Sequence, residues 1–300
     1  GVRLVGSEMC IRDSFLTAMI HITDPADPRL DDVRDLKTMD NAKGLVFGEG
    51  PLVGGRVIDS RYPLRCVVGF EKKLNTFLAQ REEEGLPPID VPVYVVTREL
   101  LAEVAGYDMH RGIIAVADRA PERDVDKLLD SRTLVVLEGV GDHENIGAIF
   151  RNAAGMGVDG VLLGAGTADP LYRRSVRVSM GHVLRLPFAH LEGTVTTWQR
   201  SLEQLREAGF RLVSLTPDDK AEHLANALID DTGAPYEKVA LLVGGEGPGL
   251  TEHAMRATDI RARIPMANGT DSLNVATSAA IAFYAVSYTH LRAHETDSYL

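Results

Sequence analysis

Leu242-Val243-Gly244-Gly245-Glu246-Gly247-Pro248-Gly249-Leu250 is the stretch that decides the fold. An apolar run feeds a loop of glycines broken by one carboxylate and one proline. In an α/β sheet that pattern belongs at the carboxyl end of a buried strand, where ligands bind. Glycine allows main chain to come close to a ligand where a side chain would collide. Two further segments share this character. Upstream lies Glu144-Asn145-Ile146-Gly147-Ala148-Ile149-Phe150-Arg151-Asn152-Ala153; downstream, Ile264-Pro265-Met266 is followed closely by Asp271-Ser272-Leu273-Asn274-Val275-Ala276.

Two common glycine motifs do not fit the central loop. The dinucleotide fingerprint opens a helix early in a βαβ unit, whereas this loop comes late and carries Glu246 and Pro248. A phosphate-cradling P-loop ends in Gly-Lys-Ser/Thr, and no lysine is present here. A carboxylate among the glycines also repels phosphate. Gly244, Gly245 and Gly247 therefore suit a cationic or neutral adenosine better than a pyrophosphate, and S-adenosylmethionine (SAM), with its positive sulfonium, fits. The plainer alternative is a tight turn.

The flanking segments carry the remaining candidates. Pro265 removes a backbone donor and stiffens a strand exit, so carbonyls near Met266 are free to accept from an adenine edge; a simple strand terminus is the alternative. Ser272 or Asp271 suits a helix cap. Asn274, read as inside the first turn, is less well explained by capping, which points to a ligand role. Asn145 precedes a helix as a candidate N-cap. Arg151 lies two turns further, beside Gly147 and Ala148, whose small size leaves space for a substrate that a guanidinium could bind through a phosphate or another oxygen. A solvated helix face is the ordinary reading of such an arginine.

From Thr133 onward the chain alternates strands and helices. Thr133 to Leu137, Gly160 to Leu163, Leu212 to Leu215, Val239 to Val243 and Ile260 to Ile264 read as strands. The first is a continuous apolar run suited to a buried parallel strand. Ile146 to Met156 and Thr194 to Ala208 read as helices, the second amphipathic with Trp198 as a packing residue. A last helix begins near Ser272 and runs through Ala276, Ala279, Ala280 and Ala282, small enough to admit close neighbours. The fold class is α/β, with a mostly parallel C-terminal sheet and helices on both faces. Ahead of it, Leu64 to Gly69, Val91 to Val96 and Ile113 to Ala117 read as strands, and Glu71 to Glu84 as a charged helix ending at Gly85. Arg119 to Arg123 has linker composition.

Both termini are set apart. With suitable codons, Gly1 to Ser14 is the reverse complement of Ala285 to Ser298, a relation with no physical basis in a protein. Both are read as scars of DNA assembly. The expected organisation is a leader 1–18, a small α/β domain 19–120, a linker 121–130, a larger domain 131–285 and a tail 286–300. With Cys10 in the leader, Cys66 stands alone, so neither a disulfide nor a Cys-based zinc site is expected. No apolar run reaches the length of a bilayer crossing, and the aspartates after Met19 do not flank a signal peptide. A reducing cytoplasm fits.

The formal charge of −11 excludes a uniformly basic surface. Phosphate binding needs local rather than total positive charge. Arg173, Arg174 and Arg177 supply one candidate patch; Lys72-Lys73 reads as a solvated face. The nine histidines show no metal-ligand spacing, and no metal is expected.

Taken in order, the three segments resemble the SpoU/TrmH family of RNA ribose 2′-O-methyltransferases, in the knotted SPOUT superfamily. The resemblance covers essentially Met19 to Tyr284. It implies that Asn145 and Arg151 match the first motif, Glu246 the second, and Ser272 with Asn274 the third, while Gly244, Ile264 and Leu273 match cofactor-contacting backbone positions. It further implies a deep trefoil knot, bound SAM, a homodimer, and a tRNA or rRNA substrate. Phe47, Glu49-Gly50 and His110-Arg111-Gly112 fit a small RNA-binding domain of the family, which makes Arg111 an RNA-binding candidate. His182, after Ser179-Met180-Gly181, departs from the small residue usual there. Arg151 is the expected contact for the 2′-oxygen. A guanidinium holds its proton too tightly to serve readily as a base, which favours electrostatic stabilisation over a full general base. A relative that methylates an RNA base and a non-catalytic RNA-binding relative are the two alternatives.

Overall fold

Continuous apolar runs become the centre of a seven-stranded sheet in the computed structural model, which describes residues 18–39, 44–267, 270 and 272–297. Its strands are β6 (Thr133–Glu138), β7 (Gly160–Leu163), β8 (Phe188–His190), β9 (Arg211–Leu215), β10 (Glu222–His223), β11 (Val239–Gly244) and β12 (Ile260–Arg263). They lie in the order β10-β12-β9-β11-β6-β7-β8. Every neighbouring pair is parallel. Strands covered on both faces read as unbroken hydrophobic stretches, and Leu134 to Leu137 are fully buried.

A separate five-stranded sheet precedes it: β1 (Met19–His21), β2 (Leu45–Glu49), β3 (Leu64–Gly69), β4 (Val93–Val95) and β5 (Ile113–Asp118), in the order β1-β4-β3-β5-β2. Here β5 runs antiparallel to both β2 and β3. Four helices accompany it: α1 (Leu36–Met39), α2 (Gly50–Ile58), α3 (Glu71–Glu83) and α4 (Arg98–Ala105). As expected, α3 stops at Gly85, whose φ of +68° favours a residue without a Cβ.

Six helices belong to the larger sheet: α5 (His143–Gly155), α6 (Arg173–Val178), α7 (Leu202–Glu207), α8 (Leu224–Ala227), α9 (Glu252–Arg256) and α10 (Val275–Asp297). One apolar cluster continues through both sheets, from Val46, Val53 and Val57 to Val135, Ile149 and Phe283. Separate clusters cover the outer faces, around Phe47 and Leu101 on one sheet and around Trp198 and Leu242 on the other.

Several sequence expectations are corrected. The helix expected over Thr194 to Ala208 is a turn at Thr194–Thr197, a 3₁₀ segment at Trp198–Ser201 and then α7. The cause is Trp198: its fully buried indole Nε1 donates to Glu138 Oε1 at 2.8 Å, which holds the chain away from a regular helix start. Residues 121–130, expected to be linker, include a 3₁₀ turn at Val125–Leu128 that buries Leu128. Helix α10 runs on past residue 285 into the expected tail, and Val286 is buried in its packing face. Residues 1–17 of the expected leader 1–18 and the cap candidate Asp271 lie outside the described residues.

Candidate active site

A cavity of about 410 Å³ opens at the carboxyl ends of three adjacent parallel strands. Leu215 ends β9, Val243 and Gly244 end β11, and Ile264 lies just past β12. Carboxyl ends are where parallel sheets bind ligands. Gly245, Glu246, Gly247, Met266, Ser272, Leu273 and Asn274 complete much of the wall. All the residues read from the sequence as cofactor contacts line this one cavity. Thr216 and Pro217, which follow β9 and also line it, went unread, although a Thr-Pro pair at a strand end is a usable signal.

The glycines of the central loop approach main chain rather than empty space. A Cβ on Gly245 would sit 2.0 Å from the carbonyl oxygen of Gly139, and one on Gly244 would sit 2.1 Å from the carbonyl carbon of Gly249. The loop therefore folds back on itself, closed by a Gly249 N–H to Gly245 carbonyl bond of 3.1 Å, and presses on the chain leaving β6. Gly247 is required for a different reason: its φ is +88°.

Buried Glu138 anchors the loop. Besides Trp198, it accepts from the Thr251 N–H at 2.7 Å and the Thr251 hydroxyl at 2.9 Å. Three donors satisfy a carboxylate that would otherwise be costly to bury. Its apolar sequence context hid this role, and only the partner positions reveal it.

Glu246 and Asn274 line the cavity, and Asn145 joins them through hydrogen bonds. The Asn145 amide donates to Glu246 Oε1 at 3.0 Å, and Asn274 Nδ2 donates to Asn145 Oδ1 at 2.8 Å and to Glu246 Oε1 at 3.0 Å. Two capping expectations change with this. Asp142, not Asn145, caps α5, accepting from the Glu144 and Asn145 N–H groups. Asn274, not Ser272, caps α10: its Oδ1 accepts from Ala276 N at 2.9 Å and Thr277 N at 3.2 Å. One amide thus caps a helix with its oxygen and binds the triad with its nitrogen, so its capping and site roles do not compete.

Arg151 is not in that group. It stands six residues beyond Asn145 on α5, about 9 Å along the helix and about 120° around it, and is exposed. Gly147 does not make room for a substrate either. It lets α5 approach α6, where a Cβ would meet Val178 Cβ at 2.7 Å and the Ser175 carbonyl oxygen at 2.8 Å.

The arginine patch divides. Arg173 is a strut between the two sheets: its guanidinium contacts Glu49 at 2.5 Å and the Tyr107 hydroxyl at 2.8 Å, and stacks 4.8 Å from the Tyr107 ring. Burial and the Glu49 carboxylate push the Tyr107 phenol above its ordinary pKa. Arg173 is thereby corrected from an RNA contact to an internal tie. Arg174 pairs with Glu144 on the surface, Arg177 is half-buried on α6, and exposed Arg111 packs over Gly50. Among the described residues no group of three or more His, Cys, Asp or Glu is placed to hold a metal ion, and no helix is long and apolar enough to cross a membrane.

Comparison with known proteins identifies the family. The SpoU rRNA methylase family matches residues 132–284. The chain is 47% identical over 270 residues to a tRNA/rRNA methyltransferase of Mycobacterium tuberculosis, covering 88% of this chain and 90% of that protein. It is 31% identical to the 23S rRNA (guanosine-2′-O-)-methyltransferase RlmB of Bordetella pertussis, over 71% of this chain and 83% of that one. An AdoMet-bound rRNA methyltransferase from Sinorhizobium meliloti shares the fold with a TM-score of 0.69, at 24% identity over 91% of this chain and 98% of its own.

Proposed function

The chain belongs to the SpoU rRNA methylase family, and we propose that it transfers a methyl group from SAM to a ribose 2′-hydroxyl of tRNA or rRNA. The observation that carries this reading is the Asn145–Glu246–Asn274 network at a cavity built on the ends of β9, β11 and β12. The Bordetella relative is named for ribose methylation of 23S rRNA, and the Sinorhizobium neighbour holds AdoMet.

The residues present fit SAM. Leu215, Val243, Ile264 and Leu273 give apolar walls, and Glu246 gives the one carboxylate among the described lining residues. A cationic ligand suits that balance, because charge on the wall opposes charge on the guest. Main chain at Gly244, Gly245, Gly247, Ile264, Met266 and Leu273 would hold the adenosine. When bound, SAM supplies an electrophilic methyl on its sulfonium. Asn145 and Asn274 fix the Glu246 carboxylate, so that it orients ligand groups rather than collapsing toward solvent. Ser272 stands beside them for a ribose contact.

A ribose hydroxyl is a weak nucleophile, and charge grows on its oxygen as the bond forms. Arg151 stabilises that charge and binds the adjoining phosphate. Its place away from the cavity of its own protomer supports a homodimer in which one protomer's Arg151 serves its partner's pocket. Exposed apolar side chains on α10 ahead of the tail, Ile281 and Tyr284, support the same assembly. The main-chain contacts of Gly244 and Gly245 support a trefoil knot closing around the loop. Residues 19–120 serve as an RNA-binding domain, and the buried Cys66 thiol suits a reducing cytoplasm.

Incubation with methyl-labelled SAM and total RNA, followed by nuclease digestion, tests the reading. Label is expected in nuclease-resistant dinucleotides, and label on a base ends the ribose assignment. Arg151→Ala is expected to lower transfer by about 10²–10³-fold while SAM binding by calorimetry persists. Unchanged turnover removes Arg151 from the mechanism.

A further inference from the structure

Five arginines converge along the groove where the two sheets meet, and none of them has a carboxylate partner among the described residues. Arg56, on α2 of the smaller sheet, reaches across to donate to the Met180 carbonyl oxygen at 2.5 Å. The turn that receives it is unusual: Met180 has φ +54° and Gly181 φ +82°, and a Cβ on Gly181 would lie 3.0 Å from Arg56 Cδ. That packing fixes one guanidinium in the groove. Burial lowers the Arg56 pKa, and Arg185, on the next turn of chain, and Arg151 of α5 stand close enough for their like charges to lower it further. On its far side Arg185 lines a small crevice shared with Arg61 and Arg123. Arg61 is held by a 2.8 Å bond to the Pro121 carbonyl and by stacking over Tyr62.

Many arginines elsewhere are neutralised. Arg65, Arg98, Arg119, Arg174, Arg206 and Arg261 all meet carboxylates. In the groove the fixed partners are carbonyl oxygens, which orient a guanidinium without neutralising it. Positive charge held in place and left uncompensated is what a polyanion needs.

We infer that Arg151, Arg56, Arg185, Arg61 and Arg123 form a continuous track for the phosphodiester backbone of the RNA, leading from the proposed reacting ribose out along the junction of the two sheets. This rests on the RNA-methyltransferase reading and adds to it the path the strand takes. It also gives the smaller sheet a defined contribution, Arg56, to the catalytic side of the molecule. His182 lies within the track, half-buried and held below its ordinary pKa by burial and then by Arg56, Arg185 and Arg151. An anion bound there offsets those three charges, so the His182 ring reports occupancy.

The test uses the full chain and a short RNA hairpin, with Arg61, Arg123 and Arg185 reversed together to glutamate; all three side chains are exposed, and none belongs to the SAM cavity or the triad. Anisotropy titrations across salt concentrations are expected to show wild-type affinity falling steeply with salt. The reversed protein should bind at least about tenfold more weakly, with a salt slope shallower by about two, while SAM affinity and the thermal midpoint hold. Should the triple variant fold poorly, Arg185→Gln alone is expected to reduce the slope by about 0.7–0.9. In the wild type, the His182 ring signals are expected to titrate at higher pH once RNA is added. Unchanged slope and unchanged His182 titration in a protein that binds and methylates RNA overturn the track alone. RNA that fails to bind wild-type protein overturns both the track and the function beneath it. Equal competition by polyglutamate of matched charge identifies an acidic-protein surface instead and also overturns the track.

Discussion

The cavity triad and the arginine groove are both built on α5, yet they settle their charges in opposite ways. In the triad, Asn145 joins Asn274 and Glu246 in a closed set of bonds, and every group there that must be held is held by another side chain. In the groove, Arg56 and Arg61 are positioned by carbonyl oxygens and keep their full charge. The first region is finished before a ligand arrives; the second is left electrostatically incomplete. A preorganised pocket lowers the ordering cost of a small ligand, whereas a flexible polyanion is drawn by unspent charge.

The comparison breaks most severely at the glycines. Gly245→Ala puts a Cβ 2.0 Å from the Gly139 carbonyl oxygen, where main chain faces main chain and nothing can rotate away. A loss of more than about 4 kcal/mol is expected, read from urea unfolding. Gly247→Ala meets no atom within 4 Å and should cost only about 1 kcal/mol through its positive φ. Similar costs at the two sites would mean that the loop is not clamped as described.

Next in size is Arg173, the arginine that looks like part of the groove but is an internal tie. Arg173→Met strands the Glu49 carboxylate, which is 6% exposed, and should destabilise by about 3–5 kcal/mol. Adding Glu49→Leu should recover most of that, because both charges are then gone. A single variant as stable as wild type would return Arg173 to the RNA-facing set.

Asn274 sharpens the account of the triad. Asn274→Ala loses the α10 cap, worth about 1 kcal/mol, together with both amide bonds. Asn274→Ser keeps a capping oxygen and should hold stability near wild type while SAM affinity falls in calorimetry. Equal affinity in Asn274→Ser and wild type would reduce the triad to a helix cap.

The smallest effect concerns pH. Folded His182 binds its proton less readily than the unfolded chain, whose histidine titrates near 6.5. Between the lower folded value and 6.5 the unfolded state therefore carries more protons, and stability rises with pH. Thermal midpoints across this range should climb more steeply in wild type than in Arg185→Gln, where one repelling charge is absent. Identical slopes would mean that the groove does not act on His182.

Legibility followed the range of the interactions. The C-terminal strands were readable because a strand buried on both faces must be apolar throughout, as Leu134 to Leu137 are. The glycine loop was readable because its composition has few other uses. Asn274 was misplaced by about half a turn: whether it lies inside a helix or caps it depends on where the α10 hydrogen bonds begin. Trp198 was recognised as packing, but its bond to Glu138, 60 residues away, could not be foreseen, so a helix was expected where a turn forms. Arg173 and Arg174 are adjacent and alike in sequence; Glu49, 124 residues from Arg173, separates them.

The sequence by itself determined an α/β chain with a ligand loop late in a parallel sheet, and it named many of the residues that line one cavity. Local physics suffices for that, since apolar runs, glycines and proline act through their own backbone and their nearest neighbours. Tertiary structure alone decided which arginines are tied and which are free, and which side of α5 each residue of the first motif occupies. Those outcomes depend on what lies opposite each side chain across the junction of the sheets, and pairing across such distances leaves no periodic trace along the chain.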